Sequence, residues 1–171
     1  YDYLMFAKNL FYSDKKNKAR MWYVCAADTT EIDLKALTKK LGCGSGNLRA
    51  ASEEAMYEKL GCKKGGLNLF GLINDKEKEV VCILDKKLTE VWPYVGIHPM
   101  TNEATTAISK EAVMQIVELS QHEPQIIDFS ELATAVAAAA PAGGQKQGKQ
   151  GGGGGGKGGK GQAQGKGKKG G

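Results

Sequence analysis

The chain has 171 residues and a formal net charge of +5. Residues 141–171 hold 16 of the 24 glycines and 7 of the 24 Lys and Arg but none of the 19 acids, which leaves 17 basic against 19 acidic groups in residues 1–140. This excludes reading the basic total as a nucleic-acid-binding fold; it describes one acidic-to-neutral domain, 1–140, trailed by a Gly/Lys/Gln-rich basic segment, 141–171, expected to be disordered.

In chain order, the aromatic and aliphatic run Tyr3–Tyr12 predicts a strand, and the polar turn from Ser13 to Asn17 leads into a returning strand, Arg20–Ala26, to give a hairpin. Lys8 and Asn9 interrupt the first strand, and alternation lets one of the pair face solvent. Asp28 to Thr30 offer caps for a helix over 31–41, with Lys39 and Lys40 in its last turn and Gly42 at its stop. A short strand over 48–51 follows, then a helix capped by Ser52 and ended by Gly61. Leu67–Ile73 reads as a buried strand that pairs with Glu79–Leu84 in a second hairpin across the Asn74–Glu77 turn. Asp85 caps a short helical piece, 86–91, which Trp92-Pro93 breaks before a strand over 94–97. A strand over 104–108 precedes a helix from Lys110 to Ser120 that Ser109 caps. A short extended piece, 125–129, and an alanine-rich helix from Ser130 to the proline at 141 complete the pattern. Paired strands between helices predict an α+β fold: a mixed, mostly antiparallel, barrel-like sheet with surrounding helices.

No apolar run approaches the roughly 20 residues of a membrane span, and the start does not resemble a signal peptide, so no membrane partner and a cytoplasmic location are expected. The sequence opens on Tyr1 within a strand, so it is expected to continue upstream. Cys25, Cys43, Cys62 and Cys82 form no C-x-x-C, and two isolated histidines complete no zinc set. Reduced thiols and no metal or cofactor are expected, with Cys25 and Cys82 in the core.

The densest polar cluster is Ile97–Ser109, IHPMTNEATTAIS, where His98 and Asn102 are expected to face a small pocket. For a lone histidine, a satisfied structural hydrogen bond is the commoner role. His122, at a helix end, is accounted for by favourable charge there. Gly42-Cys43-Gly44-Ser45-Gly46 follows a helix rather than a strand, and Lys63-Lys64-Gly65-Gly66 lacks P-loop spacing, so neither is a nucleotide fingerprint.

Three blocks carry a resemblance: AKNLFYSDKKNKARMWYVCA at 7–26, LFGLINDKEKEVVCILDKKL at 69–88 and GIHPMTNEATTAIS at 96–109. Together, over roughly residues 3–129, the chain resembles the YbaK/ProX family of aminoacyl-tRNA editing domains, and within it the free-standing prolyl-tRNA synthetase-associated (PrdX, ProXp-ala-like) branch. The resemblance implies hydrolysis of a mischarged aminoacyl-tRNA ester, characteristically alanine on proline tRNA, without a metal or a covalent nucleophile. It implies that Lys8, Asn9 and His98 are catalytic, and that Gly65, Gly66, Leu67, Leu69, Gly71 and Asn102 line the substrate site. Leu69 stands where the family usually has a proline, and the segment that the family carries ahead of the lysine strand does not precede Tyr3 here. Implied partners are the acceptor end of tRNA and prolyl-tRNA synthetase or a multi-synthetase complex. Lys146, Lys149, Lys157, Lys160, Lys166, Lys168 and Lys169 are expected to meet tRNA phosphates. A non-catalytic tRNA-binding or synthetase-complex adaptor is the competing reading. A general RNA-binding module fits least, because the folded part is slightly acidic.

Overall fold

β1 (Leu4–Asp14) and β2 (Met21–Ala27) form the predicted antiparallel hairpin, with Ala7 opposite Ala27 and Ser13 opposite Met21. They are the centre of the computed structural model, which describes residues 3–138. α1 (Leu34–Lys40), β3 (Leu48–Ala50) and α2 (Glu53–Leu60) follow; then come a 3-10 helix (Leu69–Asn74), β4 (Val80–Asp85) and a π-helical turn (Lys87–Val91). β5 (Tyr94–Ile97), β6 (Thr106–Ser109), α3 (Lys110–Leu119), β7 (Gln125–Ile127) and α4 (Phe129–Ala138) complete the order.

The sheet order is β6-β5-β1-β2-β4-β7, with β3 paired to β1 beside that path. The α+β class holds, and the sheet is evenly mixed. β1–β2, β1–β3 and β5–β6 are antiparallel, whereas β1–β5, β2–β4 and β4–β7 are parallel. β2 is buried at every position because both its faces are covered. Met5, Phe11, Tyr23 and Cys25 face a core with Leu60, Leu69, Leu72 and Val117, under α2, the 3-10 helix and α3. Trp22, Val24 and Ala26 face a second core with Leu37, Ile83 and Phe129, under α1 and α4.

Several expectations are corrected. Leu67–Ile73 is not a strand and forms no hairpin with β4. Asn68 turns the chain instead: its Oδ1 accepts from Phe70 N at 2.8 Å and starts the 3-10 helix, whose Leu69 and Leu72 share its buried face. β4 already has parallel partners on both edges, β2 and β7. α1 starts at Leu34 rather than near Glu31, because Asp33 Oδ1 accepts from Lys35 N (2.8 Å) and Ala36 N (3.1 Å) while Thr30 is engaged elsewhere. α4 begins at Phe129, with Asp128 rather than Ser130 capping it, and its predicted stretch to residue 140 lies partly outside the described residues.

α3 is tied to the far end of the sheet by a buried pair. His122 Nε2 lies 3.0 Å from Asp75 Oδ2, while the same carboxylate accepts from Glu79 N (3.2 Å) and Val80 N (2.8 Å), closing the turn into β4. His122 Nδ1 lies 3.0 Å from Ser120 O. Removing one member of such a pair strands the other. Asp75→Ala is therefore expected to cost about 3–5 kcal/mol by urea denaturation; a loss within about 0.5 kcal/mol, the size of an ordinary surface change, contradicts this role.

Candidate active site

β1 has more partners than one strand edge holds without a break. β2 takes one edge over Ala7–Ser13. The other edge is shared: β5 runs parallel over Leu4–Phe6, and β3 antiparallel over Tyr12–Asp14, with Ala51 N reaching Phe11 O at 2.9 Å. Between them, Ala7–Leu10 has no strand partner on that edge. In β1, odd-numbered backbone groups turn to it, as the bonds Tyr94 N–Tyr3 O and Lys15 N–Asn47 O show. The N–H and C=O of Asn9 therefore look into a notch between β5 and β3.

Lys8 and His98 both follow the paired stretch of β1 and β5, two residues beyond Phe6 and Gly96. Phe6 lies opposite Gly96, and a Cβ on Gly96 would stand 2.8 Å from the Phe6 ring, so both positions face the same way. Two residues further along β1 comes Lys8, on that same face by the alternation of side chains, and His98 follows directly after the end of β5.

The Lys8 ammonium is held by backbone carbonyls: Nζ donates to Asp28 O at 3.1 Å and to Thr30 O. That turn is fixed in its own right. Asp85, 1% exposed at the end of β4, accepts from Ala27 N (3.2 Å) and Thr30 Oγ1 (2.5 Å) through Oδ2, and from Lys87 N (3.0 Å) through Oδ1. With three donors on an ammonium and two carbonyls bound, one N–H of Lys8 remains to be used. His98 is oriented by Nδ1, which donates to Ala104 O at 3.0 Å; in the neutral ring this leaves the lone pair on Nε2.

The glycine loop packs against the segment that follows His98. Gly65 has φ +82°, a backbone region that favours glycine, and a Cβ there would come 3.3 Å from Asn102 Nδ2. A Cβ on Gly66 would lie 2.9 Å from Met100 O, so this loop and the one after His98 pack backbone to backbone. Asn68 Nδ2 secures both, donating to Gly66 O at 2.6 Å and reaching Met100 Sδ at 3.2 Å.

Other sequence-predicted site residues have different settings. Asn9 puts its side chain on the opposite face from Lys8, where Oδ1 accepts from Tyr23 OH at 2.5 Å. Burial, then the neighbouring Cys25 and Cys82, hold the Tyr23 phenol well above its usual range, so it stays neutral and donates. Leu69 is fully buried in the first core, and Leu67 packs half-buried against it. Gly71 serves packing: a Cβ there would meet Leu60 O at 2.9 Å and Cys62 Sγ at 2.7 Å. Asn102 is exposed and supports Gly65. The tail lysines Lys146, Lys149, Lys157, Lys160, Lys166, Lys168 and Lys169 lie outside the described residues. The split edge of β1, Asp85, Thr30 and Asn68 escaped the sequence reading; the one signal was an aspartate ending the apolar run of β4.

All four cysteines are free and buried. Burial pushes the Cys25 thiol up to about 12 and raises Cys62 and Cys82 as well, so these thiols stay protonated and are poor nucleophiles. Among the described residues, no three His, Cys, Asp or Glu side chains converge as a metal site, and no helix is long and apolar enough to cross a membrane.

Residues 5–116, which include every part of this site, match the aminoacyl-tRNA editing domain. The chain is 41% identical over 124 residues to the putative prolyl-tRNA synthetase associated domain-containing protein 1 of Homo sapiens, covering 72% of each chain. It is 39% identical over 129 residues to the prolyl-tRNA editing protein ProX of Acetoanaerobium sticklandii, covering 75% of this chain and 74% of that one. Among solved structures, hypothetical protein APE2540 superposes with a TM-score of 0.53 at 16% identity, covering 72% of this chain and 73% of that one, which speaks to the fold alone.

The Asp85–Thr30 bond is expected to govern how Lys8 is held. In Thr30→Val, acylation of Lys8 by a soluble amine-reactive ester, read by peptide mass spectrometry, should rise several-fold relative to exposed Lys39. An unchanged ratio contradicts the link.

Proposed function

The chain belongs to the aminoacyl-tRNA editing domain family, the YbaK/ProX family, and from that premise we propose that it hydrolyses the ester of mischarged aminoacyl-tRNA in trans, with Ala-tRNA(Pro) as the preferred substrate. The observation that carries this reading is the Lys8 ammonium held by two backbone carbonyls, with one N–H unused, on the stretch of β1 that lies between its β5 and β3 pairings.

An aminoacyl ester is already activated, so catalysis consists mainly of positioning it and stabilising the oxyanion. In this reading the amino acid enters the notch, where the Asn9 N–H and C=O and the glycine-loop backbone meet its polar groups. The remaining N–H of Lys8 points positive charge at the ester carbonyl. His98 Nε2 accepts a hydrogen bond from the attacking water and orients it. Water adds to the carbonyl carbon, the ester C–O bond breaks, and the proton passes to the departing ribose hydroxyl. Asn9 acts through its backbone, while its side chain holds the strand against Tyr23. Leu67, Leu69 and Gly71 shape the wall from behind, and Asn102 braces Gly65.

A close-packed glycine loop suits a small amino acid. Sterics exclude larger ones, whereas one methylene distinguishes substrates by only about 1–3 kcal/mol. Contacts with the RNA must therefore contribute to the choice of tRNA. We assign residues 141–171 a part in this as a basic strap that follows the editing domain, 1–140, and attracts phosphate without reading sequence. Prolyl-tRNA synthetase is the proposed source of mischarged tRNA, and the cytoplasm the proposed location.

Lys8→Ala should lower the rate of Ala-tRNA(Pro) deacylation at least a hundredfold, the scale of removing one oxyanion donor. A full rate in that variant removes Lys8 from the mechanism, and no hydrolysis of any mischarged tRNA by the unmodified chain makes it a tRNA-binding adaptor. Truncation at residue 140 should weaken tRNA binding most at low salt; unchanged affinity there makes the tail a linker.

A further inference from the structure

The folded part is slightly acidic as a whole, but its charge is sorted. Residues 3–50 carry nine Lys and Arg against four acids, whereas residues 51–140 carry eight against fourteen. Five of the nine cations of the first group line two concavities that share Arg49 of β3. One concavity of about 430 Å³ is lined by Lys35 and Lys39 of α1, by Ser45 and Gly46, and by Arg49 of β3. A second, of about 250 Å³, is lined by Lys15 and Lys18 of the β1–β2 turn, by Ser13 and Ser52, and again by Arg49. Neither is lined by a carboxylate. All five cations are exposed, and among the described residues none of them forms an ion pair.

Five exposed cations without counter-charges, spanning two concavities that share one arginine, repel one another. Such an arrangement persists where an anionic partner neutralises it. Its position narrows the partner. From Lys8 to Lys15, β1 advances about 23 Å at roughly 3.3 Å per residue. An RNA strand whose terminus is held at Lys8 would therefore carry phosphates several nucleotides away over the patch. The first concavity also lies on the Lys8 face, since α1 packs on the core beneath that face.

We propose that Lys15, Lys18, Lys35, Lys39 and Arg49 form the docking surface for the phosphate backbone of the RNA whose 3′ end enters the β1 notch. This rests on the deacylase reading for the position of that end. It predicts that affinity on this face is set by charge, with Arg49 at the centre because it reaches both concavities. Base identity is not read there, since the surface offers cations and short hydroxyls without an aromatic platform among the lining residues.

The test uses the full chain and uncharged tRNA, with binding followed by fluorescence anisotropy from 50 to 200 mM salt. The triple variant Lys35→Gln, Lys39→Gln, Arg49→Gln should lose at least tenfold in affinity at 50 mM, and its salt dependence should flatten by about 0.9 per phosphate contact removed. Arg49→Lys keeps the charge and should keep most of the affinity. Lys76→Gln with Lys87→Gln removes two cations from elsewhere and should change the slope little. Equal affinity and slope in the triple variant overturn the proposal, as does an equal loss in the Lys76/Lys87 control, which would mean that only total charge matters. Deacylation by the unmodified chain is read separately. Its failure removes the catalytic reading while binding still decides the surface.

Discussion

The Asp85 carboxylate is the interaction on which the proposed site depends. Buried at the end of a central strand, it accepts three hydrogen bonds, from Ala27 N, Thr30 Oγ1 and Lys87 N. A buried carboxylate is costly unless its lone pairs are filled, so these donors are bound to stay where they are. The consequence is local rigidity in a turn that would otherwise be free. The Asp28 and Thr30 carbonyls become a fixed cradle, and the Lys8 ammonium sits in it. A long, flexible lysine thereby gains a defined position without an acidic partner that would cancel its charge.

The split edge of β1 explains why that position is useful. A strand whose edge was paired throughout would hide its backbone, and one bare along its whole length would invite aggregation. Among the described residues, parallel β5 and antiparallel β3 leave Ala7–Leu10 without a strand partner on that edge, and His98 follows the end of β5. Glycine at both loop positions lets two backbones pack where any side chain would collide with Met100 O or crowd Asn102. The cation and the free backbone groups come from β1, and the imidazole from the end of β5, far away in sequence but paired to it in one sheet.

Most elements were legible in the sequence because each is written locally: Ser52 and Ser109 cap helices, Gly61 ends one, and aromatic alternation marks the hairpin. Lys8 interrupts an apolar strand and His98 sits in a dense polar cluster, but their catalytic roles come from the family resemblance. What was not legible depends on long-range pairing. Leu67–Ile73 has a strand's composition, but Asn68 caps it into a 3-10 helix once β4 is occupied on both edges. Periodicity separates Lys8 from Asn9 but reveals neither the partners each finds nor that Asp85 reaches across 55 residues to Thr30.

In the proposed mechanism the notch between β5 and β3 holds the aminoacyl end. The most direct measurement is an amide NMR titration of the full chain with a non-hydrolysable alanyl-amide analogue of 3′-aminoacyl adenosine. The account predicts shift changes concentrated at Lys8, Asn9, Gly65, Gly66 and His98. Changes confined to the α1–β3 concavity, with these five residues silent, would contradict it.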